Sequence, residues 1–282
     1  MKRVVQFITA FLFSMIRLSY SQTIPEKNTL SFSIGASVPV GNFSSTDPSN
    51  RLSGYAILGE SVNFSFNHKL NKESGLTVMV YGQRNGINTN TMESQLDKSY
   101  FFPQAFNAGG PYFQTGGGQE VYYNWTLEKK YWYLESVLLG VTEEFSFEKN
   151  NKLSFVAKAL VGAAYAQSPT LNGKSVTDTS YSVLYQNGAS AFGFSYLFNV
   201  GMNYKLSGKL FLMLHALYFG TGQLNFKNIT QNIASTNGGL VVPGVYSLSN
   251  SYMALIEESS TTEPNKQPFG TINILAGIGF KL

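Results

Sequence analysis

Between residues 30 and 40 the chain alternates strictly. Leu30, Phe32, Ile34, Ala36, Val38 and Val40 occupy one set of positions, and Ser31, Ser33, Gly35, Ser37 and Pro39 the other. Successive side chains of a β-strand point to opposite faces, so a period of two predicts a strand with one apolar and one small, polar face. The pattern recurs. Val62, Phe64 and Phe66 alternate with Ser61, Asn63 and Ser65, and Leu76, Val78 and Val80 with Thr77, Met79 and Tyr81. Residues 131–147 form a less regular strand with Trp132, Leu134 and Leu138 on one side. Residues 153–165, 192–204, 210–218 and 271–282 bring the predicted strands to eight. No helix of ordinary length is predicted after the N-terminal segment.

The connections between these strands have a rhythm. Residues 71–74, 148–151 and 207–209 are tight polar turns, whereas 41–53, 90–130, 168–189 and 228–266 are long. Short and long alternate. An even-stranded up-and-down barrel in an outer membrane places its short turns on the periplasmic side and its long loops outside. The expected fold is therefore all-β: a closed eight-stranded antiparallel up-and-down transmembrane β-barrel. Its bulky face would meet lipid, and its Gly, Ser, Asn and Thr face would fill a narrow bore. A soluble lipocalin-like barrel, with the bulky face inward, is the alternative. Tyr55, Tyr81, Tyr131, Trp132, Tyr133, Tyr165, Tyr204, Tyr218 and Phe280 fall near segment ends, as interfacial girdles do. Plain strand propensity explains them equally well.

Composition narrows the class. Charged residues make up 13% of the 282 positions, against about 25% in an ordinary soluble domain. Yet the mean hydropathy is only -0.06, so the apolar residues are spread along the chain rather than massed. The net charge is +4 with no run of Lys and Arg, which argues against a nucleic-acid partner. The absence of cysteine excludes disulfides, thiolate metal sites and cysteine nucleophiles.

The N-terminus reads as a targeting segment. Lys2 and Arg3 precede an apolar stretch over residues 4–16, and small Ser19 and Ser21 follow. This predicts a signal peptide over 1–21, cleaved near 21/22, and a barrel over 22–282. The alternative, an anchor helix, needs about 20 apolar residues, more than this stretch offers.

Three stretches carry a family resemblance: Gly35 to Phe43, Tyr133 to Leu139, and Gly277 to Leu282. In them the chain resembles small outer-membrane barrels of the OmpA/OmpX type, and more narrowly the outer-membrane β-barrel family of Bacteroidota that includes PorT-like proteins. Ser136-Val137 departs from the Ile-Pro often seen in that family's middle strand. The resemblance implies location in the outer membrane of a Gram-negative bacterium. It also implies that Phe280 and Leu282 form the terminal signal read by the barrel-insertion machinery, although many such strands end in Phe or Trp. It carries over no functional residue.

Candidate chemistry is sparse. Gly173-Lys174-Ser175 lacks the earlier glycine of a phosphate loop, because that position is Ser168. Two scattered histidines and Glu257-Glu258 give no metal-ligand spacing. No nucleophile–base pairing stands beside His68 or His215, so no catalytic, cofactor or metal residue is assigned and no cofactor is expected. Glu135, Glu143, Lys158 and His215 are read as an inward-facing polar network filling the lumen, with a proton or ion pathway as the sharper alternative. The expected role is a structural or interaction module acting through its long loops, without a wide pore. A narrow channel or lateral conduit, and a lipid A-modifying enzyme, are the alternatives. Expected partners are outer-membrane lipid, lipopolysaccharide, the insertion machinery and an extracellular or periplasmic protein.

Overall fold

The computed structural model describes residues 28–47, 50, 52–98, 124–147, 150–176, 181–227, 230–236, 246–248, 251–260 and 265–282. The predicted signal peptide and its cleavage point lie outside the described residues.

All eight predicted barrel strands are present; that over residues 131–147 keeps its predicted bounds and most of the others extend beyond theirs. In chain order the strands are β1 (Asn28–Pro39), β2 (Ala56–Lys69), β3 (Ser74–Ile87), β4 (Trp125–Leu127), β5 (Tyr131–Phe147), β6 (Asn150–Gln167), β7 (Leu171–Val176), β8 (Tyr181–Gln186), β9 (Ser190–Lys205), β10 (Leu210–Phe226), β11 (Thr230–Thr236), β12 (Tyr246–Leu248), β13 (Ser251–Ser260) and β14 (Asn265–Lys281). The barrel closes in the order β1-β14-β10-β9-β6-β5-β3-β2. Closure is explicit in the register, because β1 pairs with β2 on one side and with β14 on the other. Every barrel neighbour pair is antiparallel, so no strand edge is left unpaired.

The alternation predicts the facing. Ser31, Ser33, Ser37, Ser61, Asn63 and Ser65 are buried inside, while Phe32, Ile34, Val38 and Val62 are exposed outside. Phe192 is 76% exposed and Ile274 60%. The bulky face thus points away from the barrel axis, against the lipocalin-like arrangement. Small inward positions make room for large ones on the next strand. A side chain at Gly279 would collide with the ring of Phe211, its register partner, and one at Gly201 with the ring of His215. This interdigitation fills a bore too narrow for large residues on every strand.

The long connections hold more structure than the sequence predicted. Asn88 begins a helix, α1 (Thr89–Lys98), by accepting the Thr91 N–H on its side-chain oxygen. Met92 and Leu96, four apart on one face, are buried. The remaining connections supply a second sheet, in the order β12-β13-β11-β8-β7-β4. Its strands come from three connections distant in sequence, so it joins them at the end of the barrel opposite the short turns. The expectation of no helix after the N-terminal segment is corrected by α1, and the second sheet was not foreseen.

Candidate functional site

The inward face of the barrel divides into two parts. Toward the long-connection rim it is packed with aromatic and aliphatic side chains. Phe43, in a short 3-10 turn (Gly41–Phe43), reaches into the bore. Its ring lies 4.5 Å from that of Phe269 and 5.9 Å from that of Trp132. Trp132 in turn meets Phe226 at 5.8 Å and Phe269 at 5.4 Å, and its indole N–H donates to the Gly54 carbonyl at 2.9 Å. The backbone is tight here: a side chain at Gly54 would sit 2.5 Å from the Phe43 carbonyl oxygen. Tyr55 adopts a φ of 50°, a left-handed conformation uncommon outside glycine. Its hydroxyl donates to Gln95 of α1 at 2.6 Å, and Gln95 donates to the Thr46 carbonyl at 2.7 Å. Burial pushes the Tyr55 phenol up to about 12, so it remains a donor at any physiological pH.

Below this layer Tyr81 stacks on Phe219 across the bore. The Tyr81 hydroxyl donates toward Gln83 Oε1 at 2.7 Å and Asn273 Oδ1 at 3.1 Å, and Thr271 also donates to Gln83 Oε1 at 3.0 Å. Leu134, Leu138, Leu160, Leu197 and Leu217 are almost fully buried around it. Tyr55, Tyr81 and Trp132, named as girdle candidates by sequence, therefore belong to this lumen plug. Tyr55 and Trp132 do sit at strand ends but face inward, whereas Tyr81 lies at the middle of β3 and faces inward. Tyr131, Tyr133, Tyr204, Tyr218 and Phe280 do face outward.

Toward the short turns the lumen changes character. A cavity of about 130 Å³ opens there, bounded on the inside by Val156, Met213 and His215. His215 is held by two amides. The Asn199 side-chain nitrogen lies 3.1 Å from its Nδ1, and its Nε2 lies 3.2 Å from Asn203 Oδ1. With Asn199 donating, Nε2 carries the proton and donates to Asn203. Lys158 lines the same cavity.

The structure brings only half of the predicted lumen residues together. Lys158 and His215 face inward within electrostatic reach of each other. Glu135 and Glu143 do not join them, which corrects the expected network. On β5 the even positions Trp132, Leu134, Ser136, Leu138 and Thr142 are buried, so the odd positions face out. Glu135 is exposed beside Tyr133 and Val137. Glu143 accepts a hydrogen bond from Ser74 at 3.0 Å on the outer face. The lumen carboxylate is instead Glu144, which pairs with Lys69 at 2.6 Å and accepts from Ser154 at 2.8 Å. Sequence reasoning missed it because both faces of β5 are apolar, so polarity did not set the parity. Counting forward in steps of two from Leu134 and Leu138 as inward residues would have found it. Phe280 and Leu282 are exposed at the short-turn end, with the Lys209 ammonium 5.8 Å from the Phe280 ring. Gly173-Lys174-Ser175 lies on strand β7, not on a loop before a helix. Among the described residues no three His, Asp or Glu side chains cluster as metal ligands, and no helix is long and apolar enough to cross a membrane.

No protein-family model matches the chain, and no curated protein matches it. Among solved structures, the chain is similar to the Neisserial surface protein A, at 8% identity and a TM-score of 0.40, covering 92% of this chain and 99% of that one. Ail, the attachment invasion locus protein of Yersinia pestis, shares 10% identity at a TM-score of 0.37, with 92% and 100% covered. The outer membrane protein OprG from Pseudomonas aeruginosa shares 9% identity at a TM-score of 0.34, with 92% and 97% covered. What defines the architecture of this chain is its own hydrogen-bond register, an all-β chain closed into an eight-stranded antiparallel barrel.

Proposed function

We propose that this chain is an outer-membrane β-barrel protein that acts through the surface built by its long connections, and that it is neither a wide pore nor an enzyme. The observation that carries the reading is the plugged lumen inside an outward-facing apolar band. Monomeric soluble proteins rarely expose contiguous apolar patches beyond a few hundred Å². Here the outward face is apolar on strand after strand, from Phe32 and Ile34 round to Phe194, Leu214 and Ile274. Closed barrels are the one strand architecture that satisfies every backbone group in hydrocarbon. With the bore filled by Phe43, Trp132, Tyr81 and Phe219, the second sheet is the part left able to meet a partner.

The orientation follows the turn lengths, with the short turns periplasmic and the second sheet outside. Gly35 to Phe43 and Gly277 to Leu282 support placing the chain with the PorT-like barrels of Bacteroidota. Phe280 and Leu282 then serve as the contact for the insertion machinery. Outer-membrane lipid and lipopolysaccharide surround the band, and an extracellular protein is the proposed partner of the sheet. The residues 1–21 serve as the export signal.

Cell fractionation combined with surface proteolysis tests this reading. The full chain, expressed in a Gram-negative host, is expected in the outer-membrane fraction. Protease added to intact cells is expected to cut within the long connections and leave a heat-modifiable barrel core. Recovery of the protein in the soluble periplasm would contradict it.

A further inference from the structure

Each barrel strand has a neighbour on both sides, yet the ladder between β9 and β10 stops short. It runs from Phe211↔Lys205 to Thr221↔Ser195 and no further, although β9 begins at Ser190 and β10 continues to Phe226. Over the remainder, residues 190–194 pair with β6 alone and residues 223–226 with β14 alone. The wall closes again farther out, where Gln186 of β8 pairs with Gln231 of β11. A bulge in β10 explains the parting. Its register against β14 shifts between Gly220 and Gln223, and the inward side chains change parity, from Phe219 and Thr221 to Leu224 and Phe226. An extra residue of this kind bends a strand and interrupts its ladder.

The seam has an inner floor and an outer mouth. Inside, Leu224 is fully buried and fills the space of the missing Gly193 side chain, whose Cβ would come 2.3 Å from the Leu224 Cδ2. Phe226 packs behind it on Trp132. The seam thus ends on the plug and leaves the bore closed. Outside, Phe192 is the most exposed large apolar side chain among the described residues, at 76%. Phe194, Tyr196 and Phe198 follow on the same face, with the Tyr196 ring 6.2 Å from each of the other two. Tyr196 also covers Gly220, its register partner, where a side chain would come 2.5 Å from the ring. The seam opens on the rim side of that cover, where the outward apolar band ends. Along β10 the outward positions pass from Leu214 and Tyr218 to exposed Gln223 and Asn225, and along β14 from Ile274 and Ile272 to exposed Lys266.

We propose that this seam is a binding site for one membrane lipid. Its acyl chain lies along Phe192, Phe194 and Tyr196, and its glycerol-ester region meets the strand backbones that lack a ladder partner. The proposal rests on the outward band being lipid-facing. Backbone N–H and C=O groups without partners are costly where water is scarce, and ester carbonyls and headgroup hydroxyls supply acceptors and donors for them. A lipid matches both halves of the seam. The aromatic stripe is continuous with the apolar band, and the unpaired backbone sits at the depth where chains give way to headgroups.

The full chain, refolded in maltoside micelles and titrated with phosphatidylcholine carrying a diazirine near the ester end of one chain, tests the site. After irradiation, peptide mass spectrometry is expected to find label on residues 192–194 and 223–225 that saturates as the probe is raised. Label at Ile274 and Val137, exposed elsewhere on the band, is expected to rise in proportion to the probe. Gly222 borders the seam, and a Cβ there meets nothing within 4 Å. Gly222→Trp is therefore expected to fold and to abolish the saturable label. Gly208→Trp, equally unhindered in a short turn, is expected to keep it. Proportional label at every position, saturable label that persists in Gly222→Trp, or its loss in both variants overturns the proposal. A dimer on size exclusion with the seam unlabelled assigns it to a second copy of the chain and overturns it too. No label anywhere on the band contradicts the membrane reading itself, and the proposal falls with it.

Discussion

Tyr81 and Phe219 stack face to face across the bore, with ring centroids 4.7 Å apart and planes 17° from parallel. Their strands, β3 and β10, lie four places apart in the eight-strand ring and so stand directly opposite each other. One aromatic pair therefore spans the lumen. Truncating Phe219 to alanine removes a fully buried ring, and about 3–5 kcal/mol of stability should go with it. Urea unfolding of refolded protein measures this, and a loss under about 1 kcal/mol would mean the ring is not packed as described.

The outward band makes a prediction of opposite character. Phe194→Arg and Ile274→Arg place a charge where lipid is expected, and each should destabilise the barrel by roughly 2–4 kcal/mol near mid-membrane depth. Ser195, the neighbour of Phe194, is fully buried and shares a 2.8 Å hydroxyl contact with Ser136. Ser195→Arg should fail through crowding of the bore instead. Folding into bilayers of increasing thickness separates the two, because only the outward substitutions respond to lipid.

Much of this was legible in the sequence, and each failure has its own physical cause. Alternation located all eight barrel strands, and it set the outward faces of β1, β2 and β9, where Ser, Asn and Gly opposed Phe, Ile and Leu. It failed on β5, where Leu134 and Leu138 pack inside while Val137, Leu139 and Val141 face out. Two apolar faces hide the parity, so Glu135 and Glu143 were turned inward and Glu144 was missed. The second sheet was hidden for a different reason. Its strands are short, and they pair between connections far apart in the chain, as in Trp125 opposite Ser175. No local period announces such contacts. The cavity at the short-turn end was invisible because its lining residues, among them Lys69, Lys205 and Lys281, come together only when the barrel closes.

Topology can be read chemically, since the chain has no cysteine to interfere. Lys174→Cys, exposed on β7, should react with an impermeant maleimide on intact cells. Lys72→Cys and Gly208→Cys, in exposed short turns, should react only after the outer membrane is breached. The reverse pattern would invert the orientation.

The second sheet has its own pH signature. Hydrogen bonds from Lys130, at 2.8 Å, and from Asn172, at 2.9 Å, hold the Glu128 carboxyl below the usual glutamate range. A depressed folded value means that the contact contributes above the unfolded value and is lost as pH falls through the folded one. Carbon NMR of the Glu128 carboxyl should therefore show a midpoint below that of a free glutamate, moving back toward it in Lys130→Gln. No shift between the two proteins would show that the contact does not persist in solution.

The central claim is that the lumen is closed, which leaves the outer sheet to carry the protein's function. Planar-bilayer recording on the refolded, unsubstituted chain tests it most directly. The packing of Phe43, Trp132, Tyr81 and Phe219 predicts a silent membrane, with no steady conductance of porin size over long recordings. Stable, ohmic openings of large amplitude from the unsubstituted protein would contradict it.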